Sequence, residues 1–318
     1  MWARVWVPPP PLTPWQRWGR PLTLLLVTAC SVFLAEALDI EDIPGHGPVV
    51  FLRLRDGFLL AGCLLSILLA HEMGHYLTCR YYGVDATLPH FVPSPWFPVL
   101  GWFFWQPISM VGTFGAFIRI RSPIPHRRAL FDIGVAGPLA GFLVCLPVLW
   151  FGIQDARIVP PSPEGIPLGG PFLFQAVEQI VHGSVPDGMT LRLGPRALAA
   201  WFGLLVTALN LMPIGQLDGG HLTYALLREK ALPISRIGSW VCVALVFFGP
   251  SWILWAVLVR LLGRRHPSTL DDEAPVGRGR VVVGFFALIV FVLCFVPNPI
   301  AVSWPEVLRA VGLDKLLP

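Results

Sequence analysis

The sequence predicts an α-helical polytopic membrane protein with about six transmembrane helices. Only 13% of the 318 residues are charged and 55% are hydrophobic, whereas soluble domains carry about 25% charged residues. The apolar residues form blocks of the length that a bilayer requires, because about 20 residues at a rise of 1.5 Å per residue cross its hydrocarbon core. The apolar segments are residues 22–38, 57–79, 129–151, 197–212, 237–262 and 281–296.

The fifth segment is interrupted by Gly249-Pro250 and permits either one kinked helix or a hairpin of two helices. Each half alone is too short to cross the bilayer, which favours one kinked helix. Positive charge after the segment favours the hairpin, because a single helix would leave these basic residues on the outer side. They are Arg260, Arg264, Arg265, Arg278 and Arg280. Both alternatives stay open.

Basic residues orient the chain, because cytoplasmic loops of membrane proteins carry an excess of Lys and Arg. The N-terminal arginines predict a cytoplasmic N-terminus, with the acidic linker 39–42 on the outer side. The net charge of +4 is spread over loops without a dense basic patch, so a lipid bilayer is the predicted partner and nucleic acid is not. The orienting arginines are Arg4, Arg17 and Arg20, followed by Arg80, Arg119, Arg121, Arg127 and Arg128.

A candidate metal-binding motif lies inside the second apolar segment, where His71-Glu72-Met73-Gly74-His75 forms an HExxH pattern. In a helix, His71 and His75 lie one turn apart on one face, so both imidazoles can bind one ion. Glu72 lies beside that face, where a carboxylate can take a proton from a metal-activated water. Ionisable groups at this depth are costly and usually functional. The alternative is a pair of histidines satisfied by backbone or water.

A second polar cluster, residues 210–221, follows the fourth apolar segment and offers a third ligand. Zinc hydrolases need three protein ligands and an open fourth position for water, and Asp218 is the natural third donor. Gly219-Gly220 allows a close backbone approach beside it. An ordinary Asp-Gly turn is the alternative, and His221 is a rival ligand.

Together the two motifs resemble the site-2 protease family of intramembrane zinc metalloproteases, in the branch without a PDZ domain that includes bacterial and chloroplast homologues. That family pairs HExxH on one membrane helix with NxxPxxxLDG on a later helix, matched here by Asn210, Pro213, Leu217, Asp218 and Gly219. The resemblance implies one Zn²⁺ per chain, with ligation by His71, His75 and Asp218, general-base catalysis by Glu72, and a hydrogen bond near the scissile bond from Asn210. Helix bridging is the alternative role for Asn210.

The resemblance also implies a membrane-associated β-hairpin between the second and third helices, in a region rich in Pro, Gly and aromatic residues. An exposed strand edge would let a substrate unwound from its helix pair by β-augmentation. The candidate substrate-binding residues are Gly112, Thr113, Phe114, Gly115 and Ala116. The small residues of 132–141 look like the third helix of the family and predict tight helix packing more than catalysis.

The resemblance implies a zinc metalloendopeptidase that acts on membrane-anchored proteins, in a bacterial inner membrane with its site toward the cytoplasm. A metal-ion carrier is one alternative. Carriers, however, place their ligands at several depths along a transport pathway, whereas these polar groups cluster at one depth of the membrane. An inactive binding module is the other. The predicted organisation is an N-terminal arm (1–21), a first helix with linker (22–57), a catalytic core (58–227) and C-terminal helices with a tail (228–318), including a solvated loop at His266-Pro267 and Asp271-Asp272-Glu273.

Overall fold

The computed structural model describes most of the chain, namely residues 10–43, 47–94, 111–162, 165–261 and 269–310. Three groups of predictions lie outside the described residues: the first nine residues of the N-terminal arm with Arg4, the segment with Arg264, Arg265 and His266-Pro267, and the tail from residue 311.

The described residues form ten α-helices and three two-stranded antiparallel sheets. The helices are α1 (Arg20–Ala37), α2 (Leu54–Tyr81), α3 (Arg127–Asp155), α4 (Phe172–His182), α5 (Pro195–Leu211), α6 (Asp218–Leu227), α7 (Ala231–Leu245), α8 (Trp252–Leu261), α9 (Arg278–Cys294) and α10 (Trp304–Ala310). A π-helical turn, Trp15–Gly19, leads into α1, and a 3₁₀ turn, Arg228–Lys230, joins α6 to α7. The paired strands are β1 (Leu38–Ile43) with β2 (Gly47–Leu52), β3 (His90–Pro93) with β4 (Thr113–Phe117), and β5 (Arg157–Val159) with β6 (Thr190–Arg192).

Three helical segments among the described residues are long and apolar enough to cross a membrane: Trp15–Ala37, Leu54–Tyr81 and Arg127–Asp155. Pro195–Leu211 is a shorter apolar helix. A helical membrane protein is thus confirmed at this level. The full set of about six spans and the membrane association of the β3–β4 hairpin stay predictions.

The fifth apolar segment forms two helices that fold back on each other, so the favoured single kinked helix is wrong. α7 ends at Leu245, and α8 begins at Trp252 after a turn that contains Gly249-Pro250. The guanidinium of Arg260 lies 5.0 Å from the ring centroid of Trp240, which requires the chain to reverse between them. Proline and glycine end α7 here, because neither supports a continuous helix.

Helices α2, α3 and α5 form the core of the bundle, and glycines set how closely they approach. A Cβ at Gly152 of α3 would lie 2.5 Å from the backbone nitrogen of Ala197 in α5.

The start of α3 is capped by His126, whose ring accepts a hydrogen bond from the amide of Ala129 at 3.1 Å. Pro195 opens α5 at the first helical position, where its missing N–H costs nothing.

The predicted solvated loop near Asp271 is exposed but is not isolated. Asp271 and Glu273 are exposed, as expected. The amides of Leu270 and Asp271, however, donate to the carbonyls of Ile124 and Pro125 at 3.1 and 2.9 Å. The loop is therefore fastened to the start of α3, a long-range pairing that its polar composition does not reveal.

Candidate metal centre

Helix α2 places His71 and His75 one turn apart with both side chains buried. Their Nε2 atoms lie 3.2 Å apart, and the residues are 4% and 7% exposed. Gly74, between them, lets α2 lie directly against α3, since a Cβ there would overlap the carbonyl of Ala136. The motif therefore faces its neighbouring helix at backbone contact distance.

Asp218 reaches the two histidines because the chain folds back sharply after α5. A Cβ at Gly219 would overlap the carbonyl of Leu211, and a Cβ at Gly220 would overlap that of Gly215. These glycines let α6 begin at Asp218 against the end of α5. The Asp218 Oδ2 atom then lies 3.3 Å from Nε2 of His71 and of His75.

The three donor atoms fit a tetrahedral cation with one open position. An ion bound about 2.0–2.1 Å from each donor in tetrahedral geometry requires donors about 3.3–3.4 Å apart. The separations are 3.2, 3.3 and 3.3 Å. Among the described residues, His71, His75 and Asp218 are the one group of His, Cys, Asp or Glu that meets closely enough to hold a metal. The rival ligand His221 does not belong to it.

Helix α3 orients the imidazole of His75. The Nδ1 atom lies 2.7 Å from the carbonyl oxygen of Ile133 and must donate to it, which leaves the Nε2 lone pair directed at the other donors. Gly137 gives the ring its space, because a Cβ there would overlap Nε2. At Gly141 a Cβ would lie 3.1 Å from the Cβ of His71. These contacts agree with the packing role predicted for the small residues of α3.

Glu72 lies beside the donor set and is 7% exposed. Its carboxylate lies next to His75 and Asp218 and close to the backbone amide of Ile118. Ile118 directly follows β4, so the hairpin and the metal centre meet at this carboxylate. Nothing in the sequence signals the Ile118 contact, because a backbone amide has no residue-type signature.

Asn210 lies at the edge of the donor set, one residue before the end of α5. Its amide nitrogen is 3.4 Å from Nε2 of His71. That nitrogen atom of His71 already faces His75 and Asp218, so the amide borders the space where the three donors converge.

The five predicted substrate-binding residues fall into two environments. Gly112 is buried, since a Cβ there would lie 2.5 Å from the carbonyl of Ser31 in α1. Thr113 is buried too, and its hydroxyl donates to the carbonyl of Val92 at 2.9 Å. Phe114 is 58% exposed, whereas Gly115 and Ala116 are partly exposed. Only the second group is open enough to receive another chain.

Comparison with known proteins gives one family and a set of plant relatives. The model of Peptidase family M50 matches residues 59–249. "Probable zinc metalloprotease EGY2, chloroplastic" of Oryza sativa subsp. indica is 32% identical over 259 residues, which cover 77% of this chain and 44% of the relative. "Probable zinc metalloprotease EGY1, chloroplastic" of Arabidopsis thaliana is 28% identical over 329 residues, 96% of this chain and 56% of the relative. No solved structure shows a significant match.

These relatives are longer than this chain, which spans about half of their length. Their names place them in chloroplasts, so the predicted bacterial inner membrane has no support from the comparisons. The membrane itself is supported by the apolar helices.

Proposed function

Because the chain belongs to peptidase family M50, we propose that it is a zinc metalloendopeptidase that cuts membrane-anchored proteins within or at the edge of the bilayer. The observation that carries the proposal is the set of three donors at 3.2–3.3 Å, with a buried carboxylate beside it. Zinc is the proposed ion because two histidines and one carboxylate suit it, and because the relatives are named zinc metalloproteases.

In this proposal, each side chain of the centre has a separate task. His71, His75 and Asp218 hold one Zn²⁺, which when bound polarises the substrate carbonyl and lowers the pKa of a water ligand toward 7. Glu72 accepts the proton of the attacking water and passes it to the leaving amine nitrogen. The Asn210 amide donates a hydrogen bond to the developing oxyanion, for which its place at the edge of the donor set is suitable.

Within the described ranges, β4 pairs with β3 along one edge, and its other edge is the proposed docking site for the substrate backbone. Ile118 directs its amide toward Glu72, and backbone groups of alternate residues in a strand point to the same edge. The amide and carbonyl of Ala116 therefore share that edge, while Phe117 faces its partner His90 in β3. An extended peptide paired with Ala116 would lie next to Glu72.

We also propose that the centre lies toward the C-terminal end of α2, which leads into the segment that carries Arg119, Arg121, Arg127 and Arg128. Arg80 follows His75 by five residues, about 8 Å of helix. The positive-inside rule assigns this end to the cytoplasmic side, or to the corresponding side of another membrane.

Glu72→Gln tests the proposal, because it removes the base and keeps the shape of the side chain. We expect the variant to retain about one zinc per chain, with cleavage of a membrane-anchored reporter reduced about 10²–10⁴-fold. The matched control is Glu178→Gln on α4, which makes the same chemical change outside the centre and should leave cleavage unchanged. A metal carrier or a binding module predicts the opposite: Glu72→Gln would behave like the wild type in every assay.

A further inference from the structure

The described residues before α9, together with its first turn, contact α3 and the ligand-bearing helix α6, although they lie beyond the range matched by the family model. We name residues 269–280 the strap. Near its start, the amides of Leu270 and Asp271 donate to the loop before α3 at 2.9–3.1 Å. Further along, the Nε atom of Arg128 in α3 donates to the carbonyl of Pro275 at 2.6 Å. The first turn of α3 therefore fixes the strap in place.

The strap binds α6, the helix that begins at Asp218. The Tyr224 hydroxyl in the last turn of α6 donates to Oδ2 of Asp272 at 2.8 Å. The other carboxylate oxygen of Asp272 accepts from the Thr269 hydroxyl at 2.6 Å. Asp272 is thus held from both sides, which gives the Tyr224 bond a defined acceptor position.

Arg127 joins the strap, α3 and α6 at one point. It belongs to the first turn of α3, is 8% exposed, and donates to the carbonyls of Ala225 and Ala274 at 2.8 and 3.1 Å. Ala225 is in α6, near its C-terminus, where a cation interacts favourably with the helix dipole. Because a buried guanidinium without acceptors is costly, these two bonds favour the arrangement in which all three elements meet.

At its other end the strap contacts the turn of α3 that orients His75. Arg280 donates to both carboxylate oxygens of Asp132, with Nε at 2.8 Å and Nη2 at 2.6 Å. The Tyr82 hydroxyl donates to the same carboxylate at 2.5 Å. Asp132 directly precedes Ile133, the residue whose carbonyl accepts the Nδ1 proton of His75. A bidentate pair fixes orientation as well as distance.

We propose that the strap is a positioning element of the metal centre, holding α6 on α3 through Tyr224 and Asp272 and holding the His75-orienting turn through Arg280 and Asp132. The ligands lie on α2 and α6, and both helices pack on α3. The donor distances therefore depend on how firmly α6 and this turn of α3 are held. The inference rests on the proposed metal site and adds to it residues that touch neither the ion nor the substrate.

Zinc affinity of the 318-residue chain in detergent tests this role without any substrate. Tyr224→Phe removes the hydroxyl that donates to Asp272. Arg280→Lys keeps the positive charge but cannot donate two parallel hydrogen bonds to the Asp132 carboxylate. We expect each variant to bind zinc about 10-fold more weakly in competition with a chelator, as for outer-shell partners of other metal sites. The visible absorption of the cobalt(II)-loaded protein, which reports coordination geometry, should change as well, while the unfolding temperature stays near that of the wild type.

Asp155→Asn is the matched control, because it removes a 3.1 Å ion pair with Arg196 at the opposite end of α3. It should leave both metal readouts unchanged. Adding Asp272→Ala to Tyr224→Phe should cause little further loss of zinc affinity, because the Tyr224 hydroxyl is the group through which Asp272 holds α6. Wild-type zinc affinity and cobalt spectrum in Tyr224→Phe and Arg280→Lys would overturn the proposal. A wild type that binds zinc but cleaves nothing would overturn only the proposed peptidase.

Discussion

The two halves of α3 pack in different ways, although one continuous helix carries both. The first half meets the metal centre through backbone and glycine contacts: the Ile133 carbonyl binds His75, and Gly137 makes room for its ring. The second half meets α5 at Gly152 and places apolar side chains such as Leu149 and Ile153 in the buried core. The first half thus determines ligand geometry, whereas the second determines helix spacing. A glycine-to-alanine substitution should therefore lower mainly zinc affinity in the first half and mainly stability in the second half.

The largest effect is expected from Gly137→Ala in the first half. The added methyl group would overlap the His75 ring, so either the ring or α2 must move. We expect zinc affinity to fall at least about 100-fold, the upper range for changes that misorient a ligand. Zinc retained after dialysis against a chelator measures this loss.

Gly62→Ala on α2 is the control for that experiment. No atom would lie within 4 Å of the added Cβ, so zinc affinity should be unchanged and helix propensity should add up to about 1 kcal/mol of stability. If Gly137→Ala bound zinc as tightly as Gly62→Ala, the first half of α3 would have no special role in ligand geometry.

A smaller and different effect is expected from Gly152→Ala in the second half. The methyl group would lie 2.5 Å from the backbone of Ala197, which cannot give way as a side chain can. Overpacking of this kind costs about 1–3 kcal/mol. Thermal unfolding of the zinc-free protein should show this loss, and zinc affinity of the folded fraction should change less than twofold. A loss of zinc comparable to that of Gly137→Ala would remove the distinction between the halves.

The smallest effect is the acid sensitivity of the strap, whose hydrogen bonds to α3 involve Arg127, Arg128 and Asp132 in the first half of that helix. Burial favours the protonated form of Asp272, but hydrogen bonds from Thr269 and Tyr224 outweigh it and lower the pKa of Asp272. The resulting stability is fully present above the ordinary aspartate pKa of about 3.9 and is lost as the pH falls through the lowered value.

Asp272→Asn measures that contribution, which should be less than about 1 kcal/mol at neutral pH because the carboxylate is largely solvated. The difference in unfolding temperature between wild type and variant should shrink as the pH falls below about 4. A difference that grows on acidification would contradict the lowered pKa of Asp272.

The family and the candidate donor set can be predicted from the sequence because their signals are local. His71 and His75 are one helical turn apart, and Asp218 lies in a short motif. The resemblance to the site-2 protease family is confirmed by the match to Peptidase family M50. Joint zinc ligation by these residues, like general-base catalysis by Glu72, stays a prediction.

The remaining features depend on long-range contacts that no local pattern encodes. The reversal at Gly249-Pro250 depends on α7 packing against α8, whereas in the sequence segment length favours one kinked helix and the charge pattern favours a hairpin. Gly112 was expected to face substrate, yet it lies against α1. The strap has a polar composition typical of a free loop, but its partners lie more than 140 residues earlier in α3.

The central claim is that His71, His75 and Asp218 meet around one zinc ion, and X-ray absorption of the purified zinc-loaded protein tests it most directly. The expected result is about one zinc per chain, bound by two imidazole nitrogens and a carboxylate oxygen at about 2.0–2.2 Å. Asp218→Ala should lose the oxygen contribution together with most of the bound zinc. A correctly folded protein that binds no zinc, or binds it without imidazole, would contradict the account.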